Sequence, residues 1–457
     1  MRKKALLALM LALTMLLSGC ALIVKDEAVD NATVILRMGD KEITKEKVKE
    51  EIQNTLEYNA YYASMFGQSY DVTDPDVIAD AREEAVEALK KDMTLTAKAA
   101  ELGLDQLSAE EEEEVKTKAQ ENYDSALDYI KTNQLKDSGL EGEELDKAVA
   151  DKLTEMGITL DTYVESERKS VIDDKVRDYA IKDVTVSDEE IQTEYDSRVE
   201  KDKTSYAENA GSWATAANNG TTLYYTPAGV RRVKQILTKF KTEDQTAIDE
   251  AKQKQTDANT AVTTAEAKVS AAQDTLDTEG ITEEIKTEAE ADLKAANEEL
   301  EKANADLDAA AKAVEEATNK AFENIDADTD EILQQLKDGA DWQTLMDEKN
   351  QDPGMKTNEK GYAVAAGMTN FDSAFVDAAM ALAKPGDWSE KVRGTSYGYY
   401  LIRYESDEAE GPVSLDTVKE TISSSLLSTK QNEVYDATVS KWVEEAGIKV
   451  DMNALKD

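Results

Sequence analysis

The chain has 457 residues, no histidine and one cysteine, Cys20. These absences exclude the usual zinc sites and Ser-His-Asp or Cys-His catalysis, because such sites need imidazole or several thiolates. A single cysteine also excludes an internal disulfide, so packing or ligands alone must stabilise the fold. Glycine-rich phosphate loops and calcium loops of EF-hand spacing are absent as well. We therefore expect no metal site and no cofactor.

Positive charge is scarce, since 53 basic residues face 97 acidic ones and the formal net charge is -44. Such a field repels anionic polymers, so we expect no binding to nucleic acid. Attraction of a basic patch to a lipid surface is equally unsupported. The charge fits two interpretations, which are solubility and the attraction of cationic unfolded chains.

The N-terminus has the pattern of a lipoprotein signal peptide over residues 1–19. Three basic residues precede an apolar run over 5–17, which is too short for an ordinary membrane span. Leu-Ser-Gly-Cys follows, with Cys20 where a bacterial lipobox needs its nucleophile. The alternative is a plain secretory signal in which Cys20 is incidental. We predict a lipidated Cys20, a tether over 20–33, and anchorage on the extracytoplasmic side of the cell membrane.

Residues 34–207 have the pattern of a largely helical domain. Val34 to Met38 alternates like a strand, and helix start signals then recur along the chain. These signals are Thr44, Asp74 before Pro75, and two capping boxes, Ser108 with Glu111 and Ser187 with Glu190. Residues 208–229 are rich in Asn, Gly, Thr and Ala, which predicts a linker or irregular connection.

Residues 241–326 carry two long runs in which apolar side chains step by three and four, separated by a turn at Gly280. Each run has the spacing of a heptad seam, so we predict an antiparallel helical hairpin. No aromatic residue occurs in this stretch before Phe322. Aromatic anchors would be expected in an apolar binding groove, so a spacer or docking arm is favoured over direct contact with clients.

The last third resembles a parvulin-type peptidyl-prolyl isomerase domain over residues 230–407. The resemblance rests on the order VKQILTKF, NQDPG, FDSAFVDAAMALAKPGDWSEKV and SYGYYLIRY. Before it, MGDKEITKEKVKEEI resembles the opening of the PrsA and SurA group of extracytoplasmic chaperones, and residues 408–457 resemble the closing helix and strand of PrsA. The resemblance implies an α+β fold: a mainly helical chaperone domain with an inserted parvulin domain, which is a small antiparallel sheet with helices and carries the hairpin.

Parvulins place two histidines at the centre of their site, and the matching positions here are Gln235 and Tyr400. Both side chains can form hydrogen bonds, but neither titrates near neutral pH as imidazole does. Asp352 matches the family's acid or cysteine near the reacting amide, and its alternative is a turn aspartate before Pro353. The replacements leave the isomerase activity an open question.

The resemblance also implies a substrate pocket for the proline ring. Phe371 and Phe375 match the pocket positions, Met380 follows on the same helical segment, and Tyr397 belongs to a polar cluster before Gly398. For Met380 the alternative is ordinary core packing, because apolar residues at helical spacing are usually buried.

By resemblance, the chain is a cell-surface chaperone or foldase that binds unfolded or partly folded secreted proteins, with prolyl isomerisation weak or secondary. One alternative is a holdase without isomerase activity. Another is a structural surface protein with a coiled-coil spacer and no clients. Homodimerisation is left open.

Overall fold

The computed structural model describes residues 27–455. The predicted signal peptide, the lipidation of Cys20 and the first half of the tether, residues 20–26, lie outside these residues. The chain divides into two compact units, Met1–Val186 with Ser424–Asp457 and Ser187–Ser423. Both contain long helices and short antiparallel strands, so the predicted mainly helical α+β class is confirmed. The units divide the chain at different residues from the predicted domains, whose bounds stay predictions.

The first unit is built on a three-stranded sheet with β1 in the centre. Its strands are β1 (Val34–Met38), β2 (Lys41–Thr44) and β9 (Lys449–Val450), in the order β2-β1-β9. Its helices are α1 (Glu27–Asn31), α2 (Lys45–Met65), α3 (Pro75–Leu102), α4 (Ala109–Tyr129), α5 (Gly142–Glu155), α6 (Leu160–Ile181) and the C-terminal part of α13 (Leu415–Glu445), with a π-turn at Ile130–Gln134 and a 3-10 turn at Met452–Leu455. Ile35 and Leu36 of β1 are buried against Val48 of α2 and Leu89 of α3.

The predicted helix starts lie at the expected residues. The side chain of Asp74 accepts from the amide of Asp76, with Pro75 at the first helical position of α3. Ser108 and Ser187 form capping boxes at α4 and α7 (Asp188–Tyr206). Thr44 precedes α2 as expected, but its side chain makes no capping hydrogen bond.

The second unit is organised by a four-stranded antiparallel sheet. Its strands are β4 (Arg231–Lys239), β5 (Tyr362–Val364), β6 (Val392–Arg393) and β7 (Gly398–Asp407), in the order β5-β4-β7-β6, and β3 (Tyr225–Thr226) pairs separately with β8 (Gly411–Pro412). One face packs on α8 (Ala210–Asn218) and α12 (Ser373–Ala381). The other packs on α10 (Glu283–Lys337) and α11 (Trp342–Lys349). Because side chains alternate along a strand, the sheet supplies both cores.

The structure corrects the predicted irregular linker over 208–229. Residues Ala210–Asn218 form α8, and Trp213 is buried with its indole N–H donating to the carbonyl of Tyr225 at 2.6 Å. The amide of Asn218 donates to and accepts from the backbone of Ala363 at 2.8 and 2.9 Å. The Asn218 side chain thus pairs with the free backbone N–H and C=O of the edge strand β5. Amino-acid composition alone could not predict this contact.

The two long helices α9 (Thr242–Leu276) and α10 run antiparallel. Asp244 near the start of α9 accepts from Asn324, whereas Lys268 near its end pairs with Glu299. Alanines fill much of the seam, including Ala265 on α9. The predicted hairpin ended at residue 326, but α10 continues without a break to Lys337. The arm and the first helix over the sheet are therefore one helix. Within residues 27–455 no helix is long and apolar enough to cross a membrane.

Removal of the capping hydroxyl in Ser108→Ala is expected to destabilise the start of α4 by about 1 kcal/mol, because the amide of Glu111 loses its acceptor. Hydrogen exchange at the first turn of α4 would then be about fivefold faster. The exposed Ser170→Ala, inside α6, is the control and is expected to leave exchange in α4 unchanged. Equal exchange in both variants would contradict the prediction.

The same capping box predicts a pH dependence. The amide of Ser108 and, next, Lys175 lower the pKa of Glu111 from 4.5 to about 2. Because the folded pKa lies below the unfolded one, this stabilisation is complete above about pH 4.5 and is lost as the pH falls towards 2. Protection of the Ser108 amide, corrected for intrinsic exchange, should follow this course, and Glu111→Gln should abolish it. If protection of the Ser108 amide in the wild type is lost with a midpoint near pH 4.5, the capping box contributes nothing.

Candidate functional site

The β4–β7 ladder places Gln235 and Tyr400, the two residues predicted to stand where parvulins have histidine, on one face of the sheet. Gln235 lies opposite Ile402, and Leu237 lies opposite Tyr400. Positions two apart on paired strands share a face, so the side chains of Gln235 and Tyr400 are diagonal neighbours. Both are buried, at 6% and 4% exposure. The structure thus brings together two residues that are separated by most of the unit's sequence.

Asp352 lies beside Gln235 because the two residues before it, Asn350 and Gln351, form hydrogen bonds with the backbone of β4. The amide of Leu237 donates to the side chain of Asn350 at 2.9 Å, and the amide of Gln351 donates to the carbonyl of Leu237 at 3.0 Å. Gln235 Nε2 then donates to Asp352 Oδ2 at 2.7 Å. The other oxygen of Asp352 accepts from the amide of Gly354 at 2.9 Å. Asp352 is therefore both the predicted turn aspartate and a partner of Gln235.

Tyr362 is a further member of this network that sequence reasoning missed. Its hydroxyl donates to Asp352 Oδ2 at 2.9 Å. Burial, and next the hydrogen bond to Asp352, raise the pKa of Tyr362, so the hydroxyl stays protonated and donates at neutral pH. A Cβ at position 354 would lie 1.9 Å from this hydroxyl, so Gly354 is required for the tyrosine to fit.

A row of four aromatic rings runs from Tyr362 to Tyr400. The ring centroids of Tyr362 and Phe371 lie 5.0 Å apart, those of Phe371 and Phe375 lie 5.8 Å apart, and those of Phe375 and Tyr400 lie 5.3 Å apart. Phe375 is 2% exposed and belongs to the core, whereas Phe371 is only partly buried. Phe371 and Tyr362 are therefore the members of this aromatic row that an apolar ligand can contact, and Phe371 is the one without a polar group.

Tyr400 ends the row beside a second carboxylate, Asp372, which sequence reasoning also missed. Asp372 caps α12 and accepts from the amide and the hydroxyl of Thr395 at 2.6 and 3.0 Å. The hydroxyl of Tyr400 lies 3.5 Å from the same carboxylate oxygen. Burial, and next the negative charge of Asp372, raise the pKa of Tyr400. A Cβ on Gly394 would lie 2.5 Å from the ring of Tyr400, so this glycine makes room for it.

The remaining predicted substrate residues lie at the edge of this arrangement. Met380 is partly buried and packs on the same core as Phe375, which agrees with its packing alternative. Tyr397 is 58% exposed. The candidate site therefore consists of Gln235, Asp352, Phe371, Phe375 and Tyr400. Tyr397 lies at its exposed margin.

The candidate site is made of aromatic rings, hydroxyls, an amide and carboxylates. Between residues 27 and 455 no group of three or more cysteine or carboxylate side chains is arranged to hold a metal ion. The side-chain oxygen of Gln235 is buried without a hydrogen-bond partner in the described part of the chain. An unpaired buried acceptor of this kind costs stability, which is common at binding sites. The site thus offers the partly exposed aromatic surface of Phe371 beside buried hydrogen-bonding groups.

Sequence comparison finds relatives among the foldases. The chain is 31% identical over 181 residues to the foldase protein PrsA of Clostridium perfringens, which covers 39% of this chain and 46% of that protein. It is 32% identical over 122 residues to the foldase protein PrsA of Clostridium botulinum, which covers 26% of this chain and 35% of that protein. The chain thus matches less than half the length of these curated relatives, and the predicted resemblance to PrsA is confirmed for the matched part.

The solved structures that match the chain have low sequence identity and low TM-scores. No family model matches the chain. A structure of foldase protein PrsA from Streptococcus pneumoniae is 14% identical with a TM-score of 0.24, covering 93% of this chain and 97% of that one. A structure from a study of two SurA-like chaperones of Campylobacter jejuni is 15% identical with a TM-score of 0.23, covering 92% of this chain and 99% of that one.

Loss of the hydroxyl in Tyr362→Phe is expected to destabilise the second unit by about 1.5 to 3 kcal/mol, because a partly buried carboxylate loses a hydrogen bond. Urea unfolding followed by tryptophan fluorescence measures the change. The control is Tyr397→Phe, which removes an exposed hydroxyl and is expected to change stability by less than about 0.5 kcal/mol. Similar losses in the two variants would show that the contact with Asp352 contributes nothing.

Proposed function

We propose that this chain is a cell-surface foldase, anchored through a lipidated Cys20, that binds unfolded or partly folded secreted proteins and isomerises prolyl bonds slowly. The similarity to PrsA foldases supports the chaperone class. The observation that supports isomerisation best is the 2.7 Å hydrogen bond between Gln235 and Asp352, on the sheet face that also carries Tyr400. The two residues proposed to replace histidine thus each have a carboxylate as hydrogen-bond partner, Asp352 for Gln235 and Asp372 for Tyr400.

Rotation about an Xaa-Pro bond is opposed by amide conjugation, with a barrier of roughly 18 to 20 kcal/mol. A protein lowers this barrier without covalent chemistry when it binds the twisted amide better than either planar form. Here the ring of Phe371 supplies an apolar surface for proline, and Asp352 fixes Gln235 and Tyr362 around it. The twisted amide nitrogen regains a lone pair, which can then accept a hydrogen bond.

Glutamine and protonated tyrosine do not titrate near neutral pH, so this site differs from one with two histidines. The pKa values of Tyr362 and Tyr400 are both raised by burial, which keeps their hydroxyl protons bound as the pH rises. Isomerisation by this site is therefore independent of pH through the range in which imidazole titrates.

The helical hairpin is proposed to be a coiled-coil spacer or docking arm. The seam buries alanines such as Ala265 and Ala296, which bring the helices close but offer little apolar area per layer. Its exposed surface is dominated by charged residues. Such a surface is better suited to hold the unit away from a neighbour than to bind an apolar client.

The decisive measurement is acceleration of cis–trans isomerisation in a proline peptide by the mature chain. We expect a rate above the uncatalysed one, flat between about pH 6 and 8.5. Asp352→Ala and Phe371→Ala should each reduce it by about tenfold or more, whereas the exposed Glu359→Ala should not. Phe371 is preferred to Phe375 because truncation of a buried phenylalanine costs about 3 to 5 kcal/mol and would confound the assay.

Suppression of aggregation of an unfolded protein separates the alternatives. If the chain suppresses aggregation but does not accelerate prolyl isomerisation, it is a holdase whose parvulin-like region only binds unfolded clients. The absence of both activities would support a structural surface protein with a spacer. Equal acceleration by the wild type and Asp352→Ala would refute the role of the Gln235–Asp352 pair.

A further inference from the structure

The C-terminal end of α2 carries an exposed apolar surface that the candidate site does not use. Tyr58, Tyr61, Tyr62, Met65 and Phe66 are 65%, 66%, 53%, 63% and 62% exposed. We call these five residues the aromatic patch. Each is large and apolar, and together they follow one another within nine positions of the sequence.

The aromatic patch is an ordered face of the helix. The rings of Tyr58 and Tyr62 lie 6.2 Å apart and are stacked, and those of Tyr62 and Phe66 lie 5.1 Å apart and are tilted. Spacing of three and four residues puts these side chains on one side of α2. The core of the unit is contacted by other residues of the same helix, namely Val48 and Ile52. Folding therefore does not explain the aromatic patch.

An exposed surface of this composition is unusual for a protein that has no partner. An aromatic side chain offers roughly 150 to 250 Å² for burial, so the aromatic patch amounts to several hundred Å². Tyrosine and phenylalanine are rigid anchors at interfaces, and methionine adapts to partners of different shape. The composition thus favours a surface that accepts varied apolar side chains.

The charges that flank the aromatic patch in the sequence indicate the kind of partner it fits. Between Lys49 and Lys90 the only basic residue is Arg82, whereas ten residues are acidic. The ten are Glu50, Glu51, Glu57, Asp71, Asp74, Asp76, Asp80, Glu83, Glu84 and Glu87. Hydrogen bonds from Thr73 hold the pKa of Asp71 below its usual value, so this carboxylate is ionised at neutral pH. An apolar surface bordered by negative charge disfavours anionic lipid and a second copy, which carries the same charges.

We propose that the aromatic patch binds extended segments of unfolded polypeptide in which large apolar side chains are interspersed with lysine or arginine. The apolar side chains pack on the rings of Tyr58, Tyr62 and Phe66. The lysine and arginine side chains face Glu57 and the acidic residues of the following loop, and can also stack on tyrosine faces. This inference rests on the proposed chaperone function and assigns a client surface to it.

The test measures binding of two labelled synthetic peptides to the full mature chain by fluorescence anisotropy. Both alternate phenylalanine or leucine with a charged residue, which is lysine in one peptide and glutamate in the other. The triple variant Tyr58→Ser, Tyr62→Ser, Phe66→Ser changes only exposed side chains, and circular dichroism verifies its fold. The control is Tyr129→Ser with Met156→Ser, whose side chains are 58% and 50% exposed in the same unit.

We expect the lysine peptide to bind the wild type and the control alike, and the triple variant roughly tenfold or more weakly. Its affinity should fall with added salt, and the glutamate peptide should bind weakly. Equal binding of the lysine peptide to wild type and triple variant would overturn the inference. If the wild type still suppresses aggregation in that case, the proposed chaperone function stands and only the assigned surface fails.

Two further outcomes would also overturn it. Binding of anionic or zwitterionic lipid vesicles that the triple variant loses, without peptide binding, would assign the aromatic patch to a membrane. Self-association of the wild type that the triple variant loses, measured by sedimentation, would assign it to a second copy. Failure of the wild type to suppress aggregation, by contrast, tests the proposed function itself.

Discussion

The antiparallel pairing of β4 with β7 is the constraint on which the second unit depends. It runs from Arg231 opposite Asp407 to Lys239 opposite Gly398, with one irregularity near Val233. Alternation along these strands sends Gln235 and Tyr400 to one face and Ile236 and Leu401 to the other. A slip of one residue would exchange the faces, burying the site residues under α10 and α11. The ladder therefore decides both where the core lies and whether a site exists.

Within that ladder, Tyr400, predicted to stand where parvulins have histidine, fits only together with other residues of the unit. Tyrosine is bulkier than histidine, and the structure provides space for two tyrosines through glycines at positions 354 and 394. Each tyrosine then faces a carboxylate, Asp352 for Tyr362 and Asp372 for Tyr400. The result is a site whose hydrogen bonds do not depend on protonation near neutral pH, because burial raises the pKa of both hydroxyls.

Local signals in the sequence predict much of the fold and only part of the site. The capping boxes predict helix starts because they act over three or four residues. The motif order predicts that Gln235, Asp352 and Tyr400 meet. Tyr362 and Asp372 were missed because their roles come from contacts across the sheet and the start of α12. Composition likewise failed for α8, where Trp213 and Asn218 become ordered only against β5 and the neighbouring core.

The continuity of α10 gives the hairpin a mechanical relation to the site. Phe322 on this helix packs between Phe240 and Tyr399, at centroid distances of 4.7 and 4.8 Å. The same helix continues to the residues that cover Ile236 and Leu401. Tyr399 and Tyr400 are consecutive on β7 and face opposite ways, one towards the base of the hairpin and the other towards Phe375. A tilt of the hairpin at its base would therefore act on the strand that positions Tyr400, because packed aromatic contacts transmit displacement rather than absorb it.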